Sequence, residues 1–289
     1  MIILDSAKCR LQSARWMIVF AVCLLFACEI SLGTERQDVM DRAQESADVF
    51  FFESFDDGSY SEHFTDVSHV KNQTLEDDAF DGQRCLRIRV NKDDHYGASI
   101  LYRFAKAGME EPEALYGRYY VKFGENWNPG QGGKLPGPAG TYNRAGWGGR
   151  KVNGTDGWSA RMGFRSSKVR GGETQVYFYT YHADMEGQYG DNLHWDIENR
   201  GSLANGQWYC IETYVKLNTP GEKDGILRGW VDGKLAMERT DLRFRDMADL
   251  KIEGFWMNLY YGGRWSSPGD MDVYFDNMAL SFNPIGVAQ

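Results

Sequence analysis

Three short stretches carry residues whose types and spacing suit proton transfer beside a bound anion. Gly132-Gly133-Lys134-Leu135-Pro136-Gly137 presents a lysine within a Gly- and Pro-rich loop. Trp158 to Arg165 alternates with period two, so Ser159, Arg161 and Arg165 share one strand face while Trp158, Ala160, Met162 and Phe164 share the other. Val176 to His182 alternates in the same way, with Tyr177, Tyr179 and Tyr181 together and Val176, Phe178 and Thr180 opposite. A tyrosine hydroxyl titrates near pH ~10 in water, and neighbouring Arg or Lys charges favour the tyrosinate. A guanidinium offers a carboxylate a planar fork of donors. The tyrosines also suit plain cross-strand packing, and Arg161 a solvated strand face.

The lysine loop, the Ser-x-Arg strand and the Tyr-x-Tyr strand, in that order, resemble polysaccharide lyase family 14, whose members cleave alginate and related polyuronates. A weaker resemblance runs from about Phe50 to Phe282. It implies a jelly roll with a substrate groove on one sheet, and it places Lys134, Ser159, Arg161, Tyr177 and Tyr179 at the family's catalytic positions. Such an enzyme removes the C5 proton of a uronic acid and expels the C4 oxygen. Negative charge grows on the sugar carboxylate and must be neutralised, a base must take the proton, and an acid must meet the leaving oxygen. On this reading Arg161 and Lys134 face the carboxylate, Tyr177 and Tyr179 move protons in an order left open, and Ser159 supports the site through a hydroxyl hydrogen bond. Arg118, Lys122, Arg165, Tyr181 and His182 are the candidate substrate-binding residues.

The elements that must position these groups are strands. Cys85 to Val90, Ser99 to Phe104, Tyr116 to Phe123 and Gly206 to Leu217 all alternate. Gly225 to Asp232 and Lys234 to Arg239 read as a hairpin turning at Asp232-Gly233. Ile252 to Tyr261 and Met271 to Phe282 close the sheet. Helical periodicity is nearly absent, which points to an all-β, concanavalin-like jelly-roll sandwich. The Gly-rich stretch from Asn126 to Gly154 reads as a long loop walling the groove and ordering on substrate.

Residues 1–33 read as a signal peptide: Lys8, Arg10 and Arg15 precede an apolar run from Trp16 to Cys28, and Ser31-Leu32-Gly33 ends in a small residue. Lipoprotein processing at Cys28 is the rival. Residues 34–48 form a polar linker and 49–289 one β domain, so a secreted protein, extracellular or periplasmic, is expected. Without the leader only Cys85 and Cys210 remain, and an exported chain permits a bridge between them.

The formal net charge is −9, which argues against a nucleic-acid partner. An acidic polysaccharide is compatible with it only through a local basic cleft. No cofactor is expected, and His63, His69 and His95 lack metal-ligand spacing. A monomer is expected. Two other functions stay open. A non-catalytic carbohydrate-binding domain could use Trp147, Trp158, Trp256 and Trp265, although Trp158 lies on an apolar face. A glycoside hydrolase would need two flanking carboxylates, for which Asp196 and Glu198 are the one tempting pair.

Overall fold

The computed structural model describes residues 49–288. The signal-peptide and linker readings lie outside them. The described chain folds as two packed antiparallel sheets.

The first sheet contains β1 (Val49–Glu53), β3 (Gln73–Glu76), β4 (Cys85–Val90), β6 (Ala114–Phe123), β13 (Trp208–Lys216), β14 (Gly225–Val231), β15 (Lys234–Leu242) and β17 (Met271–Ser281). Its order is β15-β14-β13-β6-β17-β4-β3, with β1 also on β17. The second contains β2 (Asp66–Ser68), β5 (Tyr96–Arg103), β7 (Gly133–Leu135), β8 (Gly137–Gly140), β9 (Trp158–Ser166), β10 (Thr174–Tyr181), β11 (Asp191–His194), β12 (Ser202–Leu203) and β16 (Gly254–Tyr261). Its order is β11-β10-β9-β7-β16-β5-β2; β8 joins β16 and β9, and β12 pairs with β10. The sandwich expected from the alternating strands is therefore the architecture found.

Alternation decides what each sheet buries. Ala160, Met162 and Phe164 of β9 and Val176 and Phe178 of β10 are wholly buried against Tyr119, Val121 and Phe123 of β6 and Ile211 and Val215 of β13. Each such large apolar side chain contributes about 1.5–3 kcal/mol on leaving water. Trp158 joins this core, its indole nitrogen donating to the Lys251 carbonyl at 3.0 Å. The β14–β15 hairpin turns at Asp232 (φ 50) and Gly233 (φ 72), the left-handed pair a two-residue turn needs.

Two expectations are corrected here. The lysine stretch is a strand, not a loop: β7 is wedged between β9 and β16, and Pro136 separates it from β8. Only glycine admits that approach, since a Cβ on Gly133 would lie 2.1 Å from the Tyr260 carbonyl oxygen. Cys85 and Cys210 are both free and buried. Leu86 pairs with Phe275, Asp276 with Tyr120, and Tyr120 with Cys210. β17 and β6 thus stand between the cysteines, and three strand spacings put them about 14 Å apart, far beyond disulfide reach.

Candidate active site

The outer face of the second sheet carries a groove of about 720 Å³. Strand register sets out its floor. One transverse row runs His194, Tyr177, Gly163, Lys134, Tyr260 and Tyr96 across β11, β10, β9, β7, β16 and β5. The adjoining row on the same face pairs Asn192 with Tyr179 and Tyr179 with Arg161. Arg161 Nη1 donates to Asn258 Oδ1 at 3.1 Å, and its guanidinium lies 4.3 Å from the Trp256 ring centroid. Trp147, Tyr189, Trp265, Arg264 and Tyr96 also line it.

Gly163 makes the central row possible. The Tyr177 ring lies across it, and a Cβ at residue 163 would fall 2.6 Å from that ring. Tyr177 then donates its hydroxyl to the Phe164 carbonyl at 3.5 Å. Lys134 Nζ sits 3.5 Å from the centroid of the Tyr179 ring and donates to the Gly133 carbonyl at 3.4 Å.

Burial dominates the electrostatics. It pushes the Lys134 ammonium down to about 7, and the nearby Arg161 charge pushes the same way. Burial lowers Arg161 to about 10, opposed by Tyr181 and Tyr179. Tyr179 moves up, through burial first and its Tyr181 neighbour second, although Arg161 pulls it down. Tyr177 also moves up through burial, opposed by Arg165. The cations therefore fail to make tyrosinate here: loss of hydration outweighs their field. At neutral pH Tyr177 and Tyr179 are protonated beside a lysine that gives up its proton readily.

The residues lining the groove include Lys134, Arg161, Arg165 and Arg264 and not one Asp or Glu. None of these four cations forms an ion pair among the described residues. Asp196 and Glu198 are exposed and outside the lining, with Glu198 paired to Arg200. The groove thus lacks the two carboxylates a glycoside hydrolase uses.

The structure brings Lys134, Arg161, Arg165, Tyr177, Tyr179 and Tyr181 to the groove. Tyr181 is buried and accepts the Gly149 N–H at 3.0 Å. Ser159 is buried and outside the lining; its Oγ donates to the Gly146 carbonyl at 2.6 Å and ties down the turn that carries Trp147. His182 is outside it as well, buried and bonded to Asp191 at 2.8 Å, because β10 turns its side chain away from the tyrosine face. Arg118 and Lys122 belong to β6 of the other sheet, on the far side of the sandwich. Arg118 donates to the Gly286 carbonyl at 3.1 Å. Lys122 pairs with Asp78 between the rings of Trp208 and Tyr274. Both clamp chain segments onto that face. Sequence reasoning missed Tyr96, Asn192, Asn258, Tyr260 and Arg264 in the lining. Among the described residues no three His, Cys, Asp or Glu side chains gather as a metal site, and no helix is long and apolar enough to cross a membrane.

Solved structures share this architecture. Alginate lyase Aly36B superposes with a TM-score of 0.65 at 21% identity, covering 80% of this chain and 93% of its own; it is also known as a mutant in complex with alginate tetrasaccharide. The marine PL-14 alginate lyase from Aplysia kurodai gives 0.64 at 22%, covering 80% of this chain and 98% of its own. The endo-beta-1,4-glucuronan lyase from the fungus Trichoderma reesei gives 0.52 at 14%, covering 81% and 96%. At such identities the likeness is one of fold. No curated protein matches the chain. The sequence model described as Polysaccharide lyase 14 matches residues 86–278, well over half of the chain, and with the sandwich and its cationic groove in place the chain belongs to that family of polysaccharide lyases.

Proposed function

We propose that the groove performs β-elimination on a uronic-acid polymer of the alginate or glucuronan type. The observation that carries this reading is the lining itself: three unpaired arginines beside Lys134 and no carboxylate, in a protein of net charge −9. Such a surface attracts a polyanion and repels none of its carboxylates.

The chemistry follows from the shifted groups. Arg161, held by Asn258 and backed by Trp256, forks onto the carboxylate of the reacting sugar and takes up the charge that develops there. Lys134, lowered to about 7, is available as the neutral amine and accepts the C5 proton. The C–H electron pair becomes the C4=C5 double bond, and the C4–O bond breaks. Tyr179, held protonated by burial, gives its proton to the departing O4. The step leaves an ammonium over a tyrosinate ring, and proton return from Lys134 to Tyr179 restores both. Tyr177 fixes the sugar beside Lys134. This assignment moves proton abstraction from tyrosine to lysine, because burial raises both tyrosines and lowers the amine.

Export is part of the same proposal, since a polymer of this size is met outside the cell; the basic-then-apolar order of residues 1–33 supports it. Lyase action is tested by incubating the protein with polymannuronate, polyguluronate and polyglucuronate and following the ultraviolet absorbance of the conjugated unsaturated uronate. Product from at least one polymer is expected. Absence of product from all three would overturn the reading.

A further inference from the structure

We infer that Arg165 and His194 form a second carboxylate subsite in the groove, one that binds the uronate next to the reacting sugar and takes up a proton on His194 as it does so. This rests on the proposed lyase reading.

Arg165 projects from the same face of β9 as Arg161, four residues further on, which places it about 13 Å along the strand. The two guanidiniums therefore serve different carboxylates. Arg165 lines the groove, forms no ion pair among the described residues, and has a buried Nε without a hydrogen-bond partner. The side chain as a whole is part-exposed, so it is the buried Nε alone that lacks a partner, and a ligand carboxylate supplies what is missing. Arg165 is also pre-positioned. Its guanidinium lies 5.6 Å from the Tyr177 ring centroid, and its Nη2 stands 3.5 Å from both ring nitrogens of His194. His194 closes the transverse row on the edge strand β11, just behind the lining residues Arg165 and Tyr177 and edge-on to Tyr177 at 5.7 Å.

Four groups face His194: Arg165 from β9, Tyr177 from β10, Lys168 from the turn after β9, and Asp196 two residues on. Burial, then Arg165, push the imidazole below its ordinary value, with Lys168 acting the same way and Asp196 opposing. In the empty groove His194 is therefore neutral near pH 7. A bound carboxylate cancels the Arg165 field and favours the imidazolium. Linkage makes the effect reciprocal: protonating His194 tightens binding of the acidic chain.

The test uses a Lys134→Met background, which removes turnover and the one lining group shifted to near neutrality. Binding of a uronate tetramer is followed by calorimetry from about pH 5 to pH 8. Affinity should fall as pH rises, with proton uptake on binding. His194→Gln should flatten that dependence, and Arg165→Gln should weaken binding about ten- to hundredfold at every pH. The same two substitutions in the otherwise native enzyme should raise KM with kcat little changed, and Arg165→Lys should recover part of the loss. Unchanged tetramer affinity and KM in Arg165→Gln, or a pH dependence that survives His194→Gln, would overturn the subsite while leaving the lyase reading intact. Failure of the native enzyme to release unsaturated product from any polyuronate would instead overturn the reading beneath it.

Discussion

Lys134 Nζ lies 3.5 Å from the centroid of the Tyr179 ring, so an amine that loses its proton readily rests on a phenol that keeps its own. Burial drives both, lowering the amine to about 7 and raising the phenol. The expected pH profile follows. In the free enzyme the base must be neutral and the acid protonated, so kcat/KM should climb as pH rises through about 7 and fall only at alkaline pH, where Tyr179 ionises. A rate that declines from pH 6 to pH 8 would contradict Lys134 as the base.

Tyr179→Phe keeps the ring under Lys134 and removes the hydroxyl. Loss of a general acid costs about 10²- to 10⁴-fold, and kcat should fall within that range while the melting temperature holds. Tyr177→Phe should act mainly on KM, since its hydroxyl bonds a main-chain carbonyl. Equal loss of kcat in both variants would argue that Tyr177 also transfers a proton.

Gly163→Ala puts a methyl group where the Tyr177 ring lies, 2.6 Å from its nearest carbon. The ring must tip out of the row between His194 and Lys134. A displacement near 1 Å in a reacting site can cost about 10²-fold, and overpacking costs about 1–3 kcal/mol. Activity should therefore drop further than stability does. Near-native turnover in Gly163→Ala would show that Tyr177 need not lie flat.

Burial of Cys85 and Cys210 with two strands between them predicts two separate thiols. Both are pushed up to about 12 by burial, so they should resist alkylation in the folded protein. Peptide mapping after denaturation without reductant should find both alkylated. A linked Cys85–Cys210 peptide pair would contradict the observed register.

Much of the site was legible because period-two alternation separates strand faces. Arg161 and Tyr179 fall on polar faces of β9 and β10, and the register makes them direct cross-strand partners. The same alternation misled at Arg118 and Lys122, since it tells which face of a strand is polar but not which sheet receives that strand. Lys134 was recognised by its motif and yet read as a loop, because a three-residue strand ended by Pro136 is too short to show a period. His194 was passed over for a similar reason. Its edge strand has four residues, and only pairing with Tyr177 brings it beside the groove lining. Asn258, Tyr260 and Tyr96 sit in strands that read as ordinary sheet, and nothing local marks them as groove residues.

Lys134→Met should abolish activity and stabilise the fold. In the unfolded chain the amine titrates near ~10.4; in the native groove it titrates at about 7. Between those values the unfolded state holds a proton that the native state has released, so native stability rises with pH across that window. Below pH 7 both states are protonated, and the native protein carries the full cost of a poorly hydrated ammonium close to Arg161. Methionine has similar reach and no charge, which removes that cost. With an allowance for screening of a partly exposed side chain, the gain is about 1–3 kcal/mol, or roughly 2–4 °C in melting temperature for each kcal/mol. Thermal melts should place Lys134→Met above the native protein at pH 6, with the difference shrinking toward pH 10. Equal melting temperatures at pH 6 would mean that the ammonium is well solvated in the empty groove, and Lys134 would then lose its standing as a base active near neutral pH.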